Sequence, residues 1–214
     1  MQFIYEENLS PFLTITGDNY KYLIKVRRFN VGDIINVTDF NKLYSYKITN
    51  ITKKEVSLSQ IEELKIEQNL KPFHLGWCKI DIKNIEKILP SLNEIGVTKI
   101  TFIECDRSQG NFKLKMDRIN KILINSNQQC GRMDLMQIDF CDSLDEFLSK
   151  YPDAKVFDFG GEKVDSYFDV AIVGCEGGFS DRERELFKNR FSFDTPLILR
   201  SESAAVAVAS KALL

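Results

Sequence analysis

The stretch that decides the fold is Val170–Ser210, which contains the run Ile172-Val173-Gly174-Cys175-Glu176-Gly177-Gly178-Phe179-Ser180. Residues 169–173 form a short apolar run that predicts a buried strand, and Gly174 marks its end. A strand that stops at a glycine-rich loop is a common ligand-binding position in α/β proteins.

The glycines after this strand predict a tight loop that leads into a helix. Gly177 and Gly178 can adopt positive φ and let another molecule approach the backbone without meeting a Cβ. Ser180 and Glu183 have the spacing of a capping box, which predicts a helix from there through Phe187. Backbone N–H groups at such a helix start are free to bind a ligand.

The same layout occurs twice more in the last third of the chain. Pro196–Leu199 is a short apolar run that predicts a strand, and Arg200–Ala205 leads from a polar turn into an Ala-rich helix. Lys155–Phe159 predicts another strand, ending at Gly160-Gly161. Carboxyl ends of strands in an open α/β sheet lie at one edge, so these loops predict one site.

The two C-terminal runs resemble the paired signature of the ribosomal RNA small-subunit methyltransferase E family, in the SPOUT superfamily. The family loops read Gly-Pro-Glu-Gly-Gly-Phe and Leu-Arg-Thr-Glu-Thr-Ala. This chain has Cys175 in place of the proline, and Ser201 and Ser203 in place of the threonines. The serines keep the hydroxyls, and Cys175 is expected to loosen the loop without removing a ligand.

The resemblance implies an α/β fold in which a SPOUT-type C-terminal domain with a deep trefoil knot follows a small PUA-like β-barrel domain. The residues agree with two domains, 1–70 and 71–214. Before Glu62 the chain has short runs rich in β-branched and aromatic residues, whereas strands and helices alternate after Pro72. The knot rests on the resemblance alone.

The resemblance also implies the cofactor, S-adenosylmethionine (SAM), whose adenine would be held largely by backbone groups of Gly174, Leu197 and Leu199. The full expected cofactor set is Phe159, Gly160, Gly174, Glu176, Gly177, Leu197, Leu199, Ser201 and Ala204. Arg200 is the expected stabiliser of negative charge on the substrate, and Glu202 is a general base or an orienting group.

Polar side chains at other positions suggest contacts with RNA. Asn125, Gln128 and Arg132 have i, i+3, i+7 spacing, which puts them on one face if the predicted helix 113–131 continues that far. The family motifs extend the expected RNA-binding set to Arg27 or Arg28, Arg107, Ser108, Gln128, Gln129 and Arg132. For Arg107 the alternative is a solvated arginine on a loop, and for the lysines and arginines near Arg27 it is a solvated helix face.

The implied reaction is methyl transfer to the 3-position nitrogen of one uridine in 16S rRNA, with that rRNA or the small ribosomal subunit as partner. The resemblance further implies a homodimer that needs no metal. One alternative is a non-catalytic RNA-binding or ribosome-assembly protein on the same fold, and another is a related methyltransferase with a different RNA target. A phosphate-binding enzyme is disfavoured because no lysine of a P-loop motif follows the glycines.

Composition adds weaker constraints. There are 29 basic and 31 acidic residues, which argues against a protein that coats nucleic acid non-specifically. No apolar run approaches the ~20 residues needed to cross a bilayer, and no signal peptide is visible, so a cytoplasmic location is expected. Five scattered cysteines predict reduced thiols, and His74, the only histidine, is expected to be structural.

Overall fold

The computed structural model describes residues 3–110, 112–164 and 167–214. The chain forms two compact units. The first contains the residues up to Asn69 together with Asn127–Asp134, and the second contains Leu70–Ser126 with Leu135–Leu214. The sequence placed 127–134 in the second domain, whereas these residues make their contacts mainly with the first unit.

The first unit is built on a five-stranded sheet in the order β1-β3-β4-β5-β2. Its strands are β1 (Ile4–Tyr5), β2 (Phe12–Ile15), β3 (Ile34–Thr38), β4 (Leu43–Ile51) and β5 (Val56–Leu64). Alternate positions on β3 and β4 are buried, as a half-buried sheet requires. Helix α1 (Gly17–Lys21) runs directly into one turn of π-helix, Tyr22–Val26, whose Leu23 packs into the core.

The segment 127–134 ends a long helix and packs into this first unit. Helix α3 (Met116–Cys130) stops one residue before Gly131, which has a φ of 86°. The predicted polar face shared by Asn125, Gln128 and Arg132 is therefore wrong, because the helical spacing does not reach Arg132.

The second unit contains a six-stranded parallel sheet in the order β11-β9-β10-β6-β7-β8. Its strands are β6 (His74–Cys78), β7 (Lys99–Ile103), β8 (Gln137–Cys141), β9 (Lys155–Lys163), β10 (Val170–Val173) and β11 (Arg190–Ser192). The remaining helices are α2 (Ile82–Ile95), α4 (Leu144–Lys150), α5 (Asp181–Glu185) and α6 (Ser201–Leu213). The α/β expectation for this part of the chain is confirmed.

The central strands of this sheet are buried on both faces, which explains their continuous apolar runs. All five residues of β6 are buried, and so are Ala171, Ile172 and Val173 of β10. Gly76 is required in β6 because a Cβ there would lie 2.7 Å from the ring of Phe147.

Two strand predictions near the site are wrong. Strand β9 continues through Gly160-Gly161 to Lys163, with Gly160 at a φ of 67° and a register shift opposite Arg190 and Phe191. The glycines thus form an irregularity inside a strand. Residues 196–199 are not a strand: the edge strand beside β9 is β11, and Leu197 and Ile198 remain 73% and 78% exposed.

The expectation of five reduced thiols is also wrong for two of the cysteines. Cys78 is the last residue of β6, and Cys105 follows the end of the neighbouring strand β7. The sulfurs of these two residues form a disulfide, with Cα atoms 5.8 Å apart. The two cysteines are 27 positions apart in sequence and meet because β6 and β7 are adjacent parallel strands whose carboxyl ends lie side by side. The spacing of the cysteines in the sequence does not show this.

His74 has the structural role expected of it. It is buried, and its Nε2 lies 2.7 Å from the hydroxyl of Thr101. Burial, followed by the charge of Lys99, lowers its pKa to about 4.

Among the residues that the structure describes, no helix is both long and apolar enough to cross a bilayer.

Candidate active site

A cavity of about 490 Å³ lies in the second unit, where the glycine loop, β9 and the start of α6 converge. Most of the residues expected to bind cofactor line it: Phe159, Gly160, Gly174, Glu176, Leu197, Leu199, Ser201 and Ala204. Phe157, Phe179 and Phe193 add aromatic surface. The structure therefore brings together three segments that the sequence only suggested were neighbours.

Ser201 connects the two signature segments. Its hydroxyl accepts a hydrogen bond of 2.9 Å from the indole Nε1 of Trp77 and donates one of 2.5 Å to the carbonyl of Gly174. Trp77 is fully buried and Ser201 nearly so. This hydroxyl thus holds the start of α6 against the end of β10.

The glycine loop is held on its other side by the loop that follows β7. The Arg107 guanidinium donates to the Gly177 carbonyl at 2.9 Å, and the buried Cys175 thiol lies 3.1 Å from the Arg107 carbonyl, to which it donates. Gly177 lies against Arg107, since a Cβ there would be 3.2 Å from the Arg107 Cβ. Only Gly178 of the glycine pair has positive φ, at 65°.

Cys175 therefore does more than the sequence predicted. Its thiol replaces the restraint of a proline ring with a contact to another loop. Burial raises the pKa of this thiol, which keeps it protonated and able to donate. The expected loosening of the loop is offset by this contact.

The predicted capping box at Ser180 is confirmed and extends to the loop after β7. The Ser180 hydroxyl accepts from the Glu183 amide, and the Glu183 carboxylate accepts from the amides of Ser180 and Asp106. The Asp106 carboxylate accepts from Arg182 at 2.9 Å and Ser180 at 2.5 Å, which hold its pKa at about 2. Helix α5 nevertheless ends at Glu185, earlier than the predicted Phe187.

A buried carboxylate supports the floor of the cavity from β9. Asp158 accepts from Arg184 at 2.7 Å, and Arg190 lies 3.7 Å away. The Asp158 side chain is almost fully buried, so its two cationic neighbours offset the cost of removing it from water. Neither Asp158 nor Trp77 was identified from the sequence. The only sequence signal for Asp158 is its position as a lone aspartate within an apolar strand.

The two expected catalytic side chains differ in their surroundings. Arg200 precedes α6, lines the cavity and is exposed, and its guanidinium makes no ion pair or hydrogen bond within the described residues. Glu202 lies in the first turn of α6 and is half-buried, and its Oε2 is buried with no hydrogen-bond partner in that same part of the chain. An unpaired cation and a carboxylate oxygen without a donor suit a ligand that brings complementary groups.

The residues expected to bind RNA are placed in contrasting ways. Arg27, Arg28, Arg107 and Gln129 are exposed, whereas Ser108 is half-buried and its hydroxyl accepts from the Cys105 amide.

Gln128 and Arg132 make hydrogen bonds within the first unit. The Gln128 side chain accepts from the Tyr5 amide at 2.8 Å. Arg132 is 2% exposed and donates two hydrogen bonds to Asp134, at 3.0 and 2.9 Å. The Gln128 oxygen and the Arg132 guanidinium are thus engaged by protein groups within the first unit, and their contact with RNA stays a prediction.

The described residues contain no group of three or more His, Cys, Asp or Glu that could hold a metal ion. The cavity thus offers apolar surface, backbone groups, an arginine and carboxylates. Those are the features of a site for an organic molecule that is partly flat and partly charged.

Two family models match the chain. One, described as an RNA methyltransferase domain, matches residues 67–213, and the other, an RNA methyltransferase PUA domain, matches residues 15–61. The first covers the six-stranded sheet and its helices, and the second covers most of the five-stranded sheet.

Relatives and solved structures agree with this assignment. Ribosomal RNA small subunit methyltransferase E of Helicobacter pylori is 42% identical over 98% of each chain, and that of Aquifex aeolicus is 25% identical over 98% of each. The Neisseria gonorrhoeae structure of the same name, bound to S-adenosyl methionine, superposes with a TM-score of 0.77 at 21% identity, covering 99% of this chain and 96% of that one. The chain belongs to the ribosomal RNA small subunit methyltransferase E family, with an RNA methyltransferase domain preceded by a PUA domain.

Proposed function

We propose that this protein is a SAM-dependent methyltransferase that acts on the 3-position nitrogen of a specific uridine in 16S rRNA. The observation that carries the proposal is the convergence of the Gly174–Gly178 loop and the 197–204 segment on one cavity that also contains an unpaired arginine. Family membership with rRNA methyltransferases supports the substrate class.

The cavity fits the proposed cofactor in size and chemistry. Its volume of about 490 Å³ is within the usual range for small-molecule sites, roughly 300–1,000 Å³. Backbone groups of Gly174, Leu197 and Leu199 would hold an adenine ring against apolar surface, and Glu176 offers a carboxylate for the methionyl amine. SAM, when bound, supplies an electrophilic methyl group on a sulfonium.

The chemistry requires the uracil nitrogen to lose its proton, because the protonated imide is a poor nucleophile. Glu202 is the proposed acceptor of that proton, and its Oε2 lacks a hydrogen-bond partner in the described structure. Negative charge then spreads onto the two uracil carbonyls, where Arg200 is the proposed stabilising cation. Arg200 can take this role because no described carboxylate neutralises it.

The substrate uridine must be unpaired to react, since the 3-position nitrogen lies on its Watson–Crick edge. Reading more than one nucleotide therefore needs additional RNA contacts. Arg27, Arg28, Arg107 and Gln129 are the exposed candidates among the predicted residues. A homodimer and a cytoplasmic location remain part of the proposal, as the family resemblance implies.

The direct test is to map methylated uridines in 16S rRNA from cells with and without this protein. One N3-methyluridine should be lost when the protein is absent and should return on complementation. A methyl group on another base or another RNA would point to the related methyltransferase. Unchanged methylation together with no thermal shift on adding SAM would indicate a non-catalytic RNA-binding protein.

The roles of the site residues are tested by Arg200→Ala. Methylation should fall by about 100-fold or more, the effect of removing one charge-stabilising group, while the affinity for SAM stays within a few-fold. Lys211→Ala, at the exposed far end of the same helix, is the matched control and should keep full activity. A large loss of SAM affinity in Arg200→Ala would contradict the assigned role.

A further inference from the structure

A second, smaller cleft lies in the first unit, between the π-helical turn and the edge of the five-stranded sheet. Its volume is about 120 Å³, roughly a quarter of that of the candidate active site. Buried side chains, including Phe3, Leu23 and Ile35, form its floor. It has room for one small flat group and is too small for a base pair or a folded cofactor.

Aromatic and cationic planes border the cleft. Tyr22 and Phe29 are half-exposed at its rim, and the Arg27 guanidinium carbon lies 6.0 Å from the centre of the Phe29 ring. Aromatic rings and the flat guanidinium group are the surfaces on which unpaired bases stack. Tyr22 belongs to the π-helical turn Tyr22–Val26, a distortion often found at functional positions.

One polar side chain is available inside this apolar setting. Asn36 lines the cleft from β3, and its side-chain amide makes no hydrogen bond within the described residues. An amide offers both donors and an acceptor, which matches the edge of a nucleobase.

The charge around the cleft favours a polyanion. Lys25, Arg27 and Arg28 are exposed, and none of them forms an ion pair with a described residue. The backbone at Arg28 has a φ of 58°, and this turn precedes Phe29, whose amide bonds to the Leu23 carbonyl. Arg27 and Phe29 thus border the cleft together, and the exposed Lys25 and Arg28 lie within two residues of Arg27 along the chain.

We infer that this cleft binds one unpaired nucleobase of the RNA substrate, stacked on Tyr22, Phe29 and the Arg27 guanidinium. The inference rests on the proposed function and deepens it by assigning a second base-binding position, outside the methyl-transfer cavity. It also explains why the rim carries flat groups as well as charge, since phosphate binding alone would need only the cations.

The test measures binding of the full chain to a fluorescein-labelled, unstructured 12-nucleotide RNA across a range of salt concentrations. Tyr22→Leu and Phe29→Leu keep an apolar side chain and remove the ring, so each should weaken binding by about 5- to 100-fold. The slope of log affinity against log salt should stay unchanged, because stacking releases no counterions. Lys25→Gln should instead weaken binding and reduce that slope by about 0.7.

Phe12→Leu is the matched control, because Phe12 is an equally large exposed ring on β2 of the same unit. It should bind RNA within twofold of wild type. An oligomer of the same length with abasic ribose-phosphates should bind the wild type at least as weakly as the intact RNA binds Tyr22→Leu.

The inference is overturned if Tyr22→Leu and Phe29→Leu both bind like wild type, or if the abasic oligomer binds as tightly as RNA. Failure of the proposed function gives a different pattern: neither SAM binding nor uridine methylation would be found in the wild type. SAM affinity, measured in parallel, should be unchanged in the cleft variants.

Discussion

The hydroxyl of Ser201 provides the sharpest test of how this site is built. From the sequence, Ser201 is a cofactor-binding residue. In the structure it joins Trp77 to Gly174, so removing its oxygen should destabilise the protein even without ligand. Ser201→Ala leaves a buried indole N–H without an acceptor and a buried carbonyl without a donor.

The expected cost follows from these two groups. Each buried polar group without a partner costs about 1–3 kcal/mol, so the free energy of unfolding should fall by about 2–4 kcal/mol after partial relaxation. For a chain of this size, each kcal/mol lowers Tm by about 2–4 °C, which predicts a decrease of roughly 5–15 °C. Ser201→Thr keeps the hydroxyl and should retain most of the stability.

The assay is urea unfolding of the ligand-free protein, followed by fluorescence of Trp77, the only tryptophan. Ser203→Ala is the matched control: Ser203 lies in the same turn of α6 and is exposed, so its stability should change by less than about 0.5 kcal/mol. Circular dichroism of Trp77→Phe with and without Ser201→Ala would measure the coupling. If Ser201→Ala unfolds like Ser203→Ala while SAM affinity falls, the reasoning from the hydrogen bonds is refuted.

Two further changes test the sheet. Burial lowers the pKa of His74 to about 4 in the folded protein, so its contribution to the free energy of unfolding is complete above the unfolded pKa near 6.5 and is lost as the pH falls towards 4. Lowering the pH from 7 to 5 should therefore reduce the free energy of unfolding by about 2 kcal/mol more in the wild type than in His74→Gln. Equal losses in urea unfolding would contradict this. Gly161→Ala would place a Cβ 2.6 Å from the backbone of Arg190 and Phe191. It should therefore lower the free energy of unfolding by about 1–3 kcal/mol, measured by thermal unfolding, and weaken SAM binding. Gly110→Ala is the control: a Cβ there meets open space, so this variant should match the wild type.

Local elements with strong patterns were predictable from sequence. Helix α2 ends at Ile95 because Gly96 takes the left-handed conformation, a signal that is visible in the sequence, and the capping box at Ser180 formed as expected. Residues 196–199 were wrongly predicted as a strand, because a short apolar run does not by itself show burial in a sheet. Leu197 and Ile198 are instead exposed and line the cavity.

The candidate site could likewise be predicted only in part. The signature segments converge on one cavity because both follow strands of the same parallel sheet. Arg132 lies beyond the end of α3 at Cys130 and is buried against Asp134, which the sequence did not predict, and its contact with RNA stays a prediction. The trefoil knot and the homodimer stay predictions.

The sequence by itself determined the family, the two kinds of architecture and the segments that form the cavity, because these depend on short-range patterns in residues close along the chain. Only the tertiary structure decided that Ser201 bonds to Trp77, 124 positions away, that Cys78 joins Cys105, and that Cys175 holds the Arg107 loop. Such contacts depend on the register and order of neighbouring strands, and a hydroxyl or a thiol carries the same local signal whichever partner the sheet brings to it.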